Sequence, residues 1–363
     1  VHLGTNLSDS VRYHTMANSQ YPSRCTLEAP NVTLAADTVM PESLSASIQP
    51  HYQVAHAPDL PEFFRYALRV AGPLLALGVN SPFLPPELYD DVPAEEILAD
   101  AHMEHRIDVF ESVMNPGTGE DADRKVRFPP DFETVGDDID DIATDTCIVP
   151  MNLERGTRFD DQFSNLRHKH GSYWRWVRPV FDGSTRSNAN ARIEFRPLPA
   201  QPTVRDAVAF EAAFAGLMES LPRRDHPVRA LDWEQAEANF YSAVRNGLDA
   251  DMHWLNRSGE ETADIREICA ECLESARDGL ELRGVDTQEA RRSLRPLRER
   301  LDRGCTPARW QHDPLPRRVD DGVPPTAALC GMPSEYIDRQ AVTRVERPFR
   351  ESARTASPSC SSP

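Results

Sequence analysis

Apolar residues recur at helical spacing between Leu60 and Val79, at Phe63, Phe64, Ala67, Leu68, Ala71, Leu74, Leu75 and Gly78, and predict one long helix. Asp59 precedes it as a cap and Pro61 fits its first turn. Pro73 predicts a kink, and Asn80-Ser81-Pro82 a stop. A second helix is expected over Ala94–Val113. Four more follow, over Val204–Leu221, Asp232–Leu248, Thr262–Leu282 and Asp286–Leu301. Asp232 with Gln235, and Asp286 with Glu289, read as capping boxes.

Elsewhere the pattern has a period of two. From Ser47 to Val54, Ile48, Tyr52 and Val54 share one face and Gln49, His51 and Gln53 the other. Pro50 removes a ladder hydrogen bond from this strand. Tyr173–Val180 is aromatic and β-branched, hence a second strand. A polar turn over Gly183–Asn190 leads to a third at 191–197, with Ile193 and Phe195 opposite Arg192, Glu194 and Arg196. The last two read as an antiparallel pair. The acidic run Asp137–Asp145 reads as a solvated loop, and residues 1–46 as mixed chain broken by Pro22, Pro30 and Pro41. After Asp313 the chain turns proline-, arginine- and serine-rich, which predicts an unstructured tail. The expected organisation is one α+β domain over residues 1–312 and a disordered tail over 313–363.

Composition narrows the partners. The 363 residues carry 58 acidic and 40 basic side chains, a net charge of −18. Such a surface disfavours nucleic acid and anionic membranes. Lys125 and Lys169 are the only lysines. Acidity with arginine in place of lysine suits concentrated salt, and a GC-rich genome is the competing explanation. No run reaches the ~18 apolar residues of a membrane span, and no basic-then-apolar leader opens the text, so a cytoplasmic location is expected. The seven cysteines are scattered, which argues against a disulfide framework. Cys269 and Cys272 stand on one turn of a predicted helix, without a second pair to complete a zinc site.

Three polar rows on strands could carry chemistry: Gln49/His51/Gln53, Arg192/Glu194/Arg196, and Arg175 with Arg178. A solvated sheet face with cross-strand ion pairs explains each row, and pattern alone favours that plainer reading. The functional alternative is one concave face where oxygen and imidazole donors hold Mg²⁺ or Mn²⁺ and guanidiniums hold phosphate. Glu194 is then the metal ligand, with His51 and Gln49 beside it, and Arg196 neutralises a transferring phosphoryl group. No P-loop, dinucleotide-binding fingerprint, H-E-x-x-H or G-x-S-x-G occurs.

Several blocks, taken in order, resemble the second family of glutamate–cysteine ligases, carboxylate–amine ligases related to glutamine synthetase. Arg12-Tyr13-His14-Thr15-Met16-Ala17-Asn18 is similar to the family's Arg-Tyr-x-x-Met-x-Asn segment, and Gln49-Pro50-His51-Tyr52-Gln53 to its metal-binding strand. Ala76-Leu77-Gly78-Val79-Asn80-Ser81-Pro82-Phe83 resembles its Ala-Leu-x-Ala-Asn-Ser-Pro-Phe helix end. Trp176-Val177-Arg178-Pro179 and Ile193-Glu194-Phe195-Arg196 are similar to its two central strands. Asn239 to Gly247 and Thr306 to Gln311 resemble its closing blocks.

The resemblance implies an antiparallel, partly closed sheet with helices on its outer face. It implies ATP-dependent joining of a carboxylate, most simply glutamate, to an amine such as cysteine, with Mg²⁺ or Mn²⁺ as cofactor. Arg196 and Arg178 would be catalytic; Glu194, His51 and Gln49 would hold metal; Arg12, Gln53, Arg192 and Arg245 would bind substrate or nucleotide. The family's opening Gly-x-Glu-x-Glu strand has no counterpart in this text, so the chain is expected to begin downstream of it. A non-catalytic binding relative, or an inactive fragment, stays open as the alternative.

Overall fold

The computed structural model describes residues 14–15, 18, 25–89, 92–115, 124–147, 164–183, 186–323 and 325–343. Arg12 lies outside them. Among the described residues the fold is α+β, with small antiparallel sheets surrounded by helices.

The chain enters through a hairpin, β1 (Cys25–Ala29) and β2 (Val32–Ala36), in a segment where the sequence showed only proline breakers. Pro30 followed by Asn31 at φ 61° is the residue pair of a type II turn, so the breaker itself folds the hairpin. The sheet that matters for the site has three strands in the order β3 (His51–Val54), β5 (Asn190–Phe195), β4 (Val177–Asp182). Both pairings are antiparallel, with His51 opposite Glu194 and Glu194 opposite Arg178. This sheet is open, which corrects the expectation of partial closure: the other described strands pair only among themselves, as β1–β2 and as β6 (Trp254–Leu255) with β7 (Glu261–Thr262).

One face of the three-stranded sheet is apolar and covered. Helix α1 (Leu60–Gly78) runs through the core, buried along most of its length, as the periodicity predicts. Asp59 stands at its N-cap position without a side-chain hydrogen bond, so the cap read from sequence is not used. The expected helix over Ala94–Val113 is two helices, α2 (Ala94–Asp100) and α3 (His105–Met114). The break forms because the backbone N–H groups of Met103 and Glu104 donate to Arg245 and Val244 instead of continuing a helix.

The acidic run is helix α4 (Val135–Thr144), not a loop. Thr134 and Asp137 cap each other reciprocally, and carboxylates in a first turn suit the helix dipole. After α5 (Ser164–His170) come α6 (Val204–Ser220), α7 (Trp233–Asn246), α8 (Ile265–Leu282) and α9 (Thr287–Arg303), close to the predicted spans. Asp286 caps α9 as expected, whereas Asp232 makes no side-chain cap bond at α7. Helices α6 and α8 touch backbone to backbone: a Cβ on Gly216 would run into the carbonyl of Ala276, and one on Gly279 into that of Gly216. Cys269 and Cys272 are buried in α8, and burial pushes the Cys269 thiol up to about 12, so the pair is core.

The chain closes with α10 (Pro307–His312), α11 (Leu315–Asp320) and α12 (Pro325–Thr343). The last two fall where the sequence predicts a tail. Ala328, Leu329 and Met332 are buried, and the Tyr336 hydroxyl donates to Asn80 Oδ1 at 3.0 Å. These buried side chains, with that bond and one from the Gln340 amide to the Pro202 carbonyl at 2.9 Å, tie α12 to the rest of the fold. The tail beyond residue 343 lies outside the described residues.

Candidate active site

Alternation along β5 decides the site. Ile193 and Phe195 turn inward, where Phe195 stacks on Phe214 at 4.4 Å, so Arg192 and Glu194 face the other way, with Arg196 following in step. Register then places His51 and Gln53 of β3, and Arg178 of β4, on that same polar face. Trp176, two residues before Arg178, shares it as well.

That face floors a cavity of about 280 Å³. Its floor is Glu194, Arg196, Arg178 and Gln49; Trp174, Trp176, Phe110 and Met114 wall it; Arg106, Glu42, Ser45 and Ser47 complete the lining. Glu194 is the hub. Arg178 Nε and Nη2 reach its Oε2 at 2.9 and 2.8 Å, Arg196 Nε lies 3.4 Å from its Oε1, and His51 Nε2 stands 3.9 Å from Oε2. Arg178 is fixed from behind, donating to the carbonyls of His170 at 2.9 Å and Tyr173 at 2.6 Å. Arg196 lies 5.3 Å from the Phe110 ring centroid and Arg106 5.1 Å from that of Trp176, so aromatic faces carry both guanidiniums.

The electrostatics follow from burial. Burial pushes the Glu194 carboxyl up, but Arg178 and Arg196 outweigh it and hold the group below the usual carboxylate range. Arg196 is brought down to about 9 by burial and then by Arg178, with Glu194 opposing. Burial raises Glu42, which Arg196 opposes, and burial lowers His51 despite Glu194. His170, behind Arg178, falls to about 4 through burial and the same guanidinium; it is neutral and its Nε2 meets the Pro179 carbonyl at 2.6 Å. Arg178 and Arg196 thus share Glu194, with Glu42 also opposing Arg196, while Arg106 is paired with the buried Glu104, its Nε 3.5 Å from Oε1. The cavity is lined by three guanidiniums and two carboxyl groups, and guanidiniums suit phosphate or carboxylate oxygens.

The structure therefore gathers five of the nine residues singled out from sequence: Glu194, Arg196, Arg178 and Gln49 line the cavity, and His51 stands at its edge. Gln53 and Arg192 lie farther along the same face, outside the lining. Arg192 is spent on neighbours, donating to His51 Nδ1 at 3.1 Å and to Asp182 at 3.3 Å. Arg245 is exposed in the last turn of α7, where its backbone carbonyl accepts from Met103 N–H at 3.2 Å. Arg12 lies outside the described residues. Arg175, the third row, points away from the cavity and donates to the Lys125 carbonyl at 2.5 Å.

Sequence reasoning missed Arg106 and Glu42. Arg106 sits in α3 between the buried residues His105 and Ile107, and a cation on a buried helix face is the signal that could have found it. Glu42 lies in a short irregular helix (Met40–Leu44) that carries no such signal.

For Mg²⁺ or Mn²⁺ the available donors are the Glu194 and Glu42 carboxylates, the Gln49 amide oxygen and His51 Nε2. Both Glu194 oxygens already face arginines. Among the described residues these donors do not form a three-ligand cluster, so an ion here would take one or two protein carboxylates and draw its remaining ligands from substrate phosphates, as Mg²⁺ commonly does.

The family model described as glutamate–cysteine ligase family 2 matches residues 4–338, nearly the whole chain, and the protein belongs to that family. A comparison with curated proteins finds no match. Among the described residues no helix is long and apolar enough to cross a membrane.

Proposed function

With that membership as premise, we propose that the protein joins the γ-carboxylate of glutamate to the amine of cysteine, or of a similar amino acid, at the expense of ATP. The observation that carries this reading is the convergence of Arg106, Arg178 and Arg196 on one aromatic-walled cavity beside Glu194.

A carboxylate is a poor acyl donor because its leaving group is an oxide. Transfer of the terminal phosphoryl group of ATP to a carboxylate oxygen, with ADP departing, gives an acyl phosphate. The amine nitrogen then attacks the acyl carbon, phosphate leaves, and the nitrogen loses a proton. Negative charge gathers on the phosphoryl oxygens in the first step and on the departing phosphate in the second. Arg178 and Arg196 oppose that charge, each already oriented: Arg178 by two backbone carbonyls, Arg196 by Glu194 and the Phe110 ring. Arg106 lines the same cavity and adds a third cation, itself paired with Glu104. A divalent ion arriving with the nucleotide would be held by Glu194, with Glu42, Gln49 and His51 as the remaining donors, and would supply further neutralisation of phosphate. Trp174 and Trp176 give the cavity apolar walls, which would limit the access of water to the acyl phosphate.

The test is ADP release by the purified protein with ATP, Mg²⁺, glutamate and cysteine. The reading expects release that requires both amino acids. No release with any amino-acid pair would refute it. The engagement of both Glu194 oxygens by arginines favours one rival, a binding protein without turnover. Calorimetry separates the two, because the rival binds ATP equally well without Mg²⁺.

A further inference from the structure

We propose that His102, His105 and Asp108 form a binding site for a divalent transition-metal ion, best matched to Zn²⁺, at the first turn of α3 and separate from the sheet cavity. His105 opens the helix and Asp108 follows one turn later on the same side, while His102 precedes it by three residues. Both imidazoles aim the same atom at one carboxylate. Nδ1 of His102 lies 2.9 and 3.1 Å from the two Asp108 oxygens, and Nδ1 of His105 lies 3.1 Å from Oδ2. All three donor atoms fall within 4.8 Å of one another.

Those distances are near what an ion requires. Ligand atoms held at about 2.0–2.2 Å around a tetrahedral Zn²⁺ stand roughly 3.3–3.6 Å apart, so the hydrogen-bonded trio needs to open by only a few tenths of an ångström to admit one. Two imidazoles with one carboxylate suit Zn²⁺ and its transition-metal neighbours over Mg²⁺ or Ca²⁺, which prefer all-oxygen shells. His105 is buried, while His102 and Asp108 are partly exposed, which leaves an open side for entry and for a water ligand.

The turn that carries the trio is already clamped. Met103 and Glu104 donate backbone hydrogen bonds to the end of α7, and His105 donates to Ser81 at 2.9 Å. The Glu104 carboxylate accepts from Asn80 N at 2.8 Å and Ser81 Oγ at 2.5 Å. Arg106 and Phe110, on the same helix, reach the cavity. An ion at His102–His105–Asp108 would therefore brace the helix that presents Arg106. The proposal does not depend on the ligase reading, because its readout is metal binding.

The test uses the full chain stripped of metal and titrated with ZnCl₂ against a chromogenic chelator, with Co²⁺ as a spectroscopic substitute. One tight equivalent is expected, with a visible Co²⁺ absorption band. Even partners outside the first coordination shell are commonly worth 10–100-fold in affinity, so H102A and D108N should each weaken binding by about 100-fold or more. H102A removes a partly exposed ring and D108N keeps shape, so circular dichroism should show both folded. H51A, on the sheet face, should leave the Zn²⁺ affinity unchanged. Equal affinity in the wild type and both variants overturns the proposal, as does absence of a stoichiometric site. Loss of the site in H51A but not in H102A also overturns it.

Discussion

The two faces of the three-stranded sheet differ by one residue of register and by everything chemical. On one face Val54, Ile193 and Phe195 are buried against the helices, and Tyr52 stacks on Phe63 at 5.7 Å and donates to Glu219. On the other, Arg178, Glu194 and Arg196 face a cavity. The apolar face is held by area and packing, so its residues are interchangeable within limits of volume. The polar face is held by ion pairs that ligands can compete for. Burying a carboxylate between guanidiniums is weak as a device for stability, because desolvation offsets most of the attraction. Its place in a cavity rather than in the packed core suits a functional role, and the apolar face supplies rigidity behind it.

Adjacent positions should therefore fail differently. Phe195→Ala removes a fully buried ring stacked on Phe214 and should cost about 3–5 kcal/mol, read by denaturant unfolding. Its neighbour Glu194→Gln should lower ligase turnover by about 10²–10³ and, by leaving Arg178 and Arg196 without their counter-charge, should also cost a few kcal/mol of stability. The two assays on the two variants form a cross. If Glu194→Gln keeps its turnover, Glu194 is not in the site. If turnover falls only as far as the loss of folded protein accounts for, the polar face is structural.

Behind the polar face the charge problem recurs in a buried wall. Glu111 accepts from Trp176 Nε1 at 2.6 Å and from the Tyr241 hydroxyl at 2.7 Å, and burial, only partly opposed by those bonds, pushes its carboxyl up to about 7. Between about 4.5 and about 7 the folded protein keeps a proton that the unfolded chain gives up. This group therefore makes stability fall as pH rises through that window, by about 2–3 kcal/mol. Unfolding of wild type and Glu111→Gln at pH 5 and pH 8 isolates it, and the variant should lose less stability on going to the higher pH. An equal loss would mean that Glu111 is ionised throughout.

Much of the floor of the site was legible because alternation is a local rule. Once Ile193 and Phe195 must turn inward, Glu194 and Arg196 must turn out, whatever the partner strands. The long helices were legible for the same reason. What was not legible depends on contacts distant in sequence. Arg106 became a wall of the cavity because the chain broke between α2 and α3, and that break is set by α7, over a hundred residues later. The block ending in Gln311 lies against the one containing Asn80: the Gln311 amide donates to the Asn80 carbonyl at 2.8 Å. Asn239 likewise serves the fold, exchanging two 2.7 Å bonds with the backbone of His253. Family-like residues at these positions hold the helix ends together rather than touch the cavity, which is why Arg245, in the same block as Asn239, stands outside it. The helices after Asp313 were hidden by composition, since three buried side chains on α12 are too few to show as a period amid prolines and arginines.

The smallest expected effect marks where the polar face stops being a site. Gln53 and Arg192 share the face with Glu194 but lie beyond the cavity lining, and Arg192 is occupied by His51 and Asp182. Gln53→Ala, at an exposed position, should change stability by no more than about 0.5 kcal/mol, and Arg192→Ala, at a partly buried one, by about 1 kcal/mol. Turnover and the KM for ATP should stay at their wild-type values in Gln53→Ala. Arg192→Ala frees His51 Nδ1 from its one guanidinium donor, so any effect there should appear as an altered dependence on Mg²⁺ rather than on ATP. A large rise in the KM for ATP in Gln53→Ala would extend the nucleotide site along β3 and remove the boundary drawn at His51.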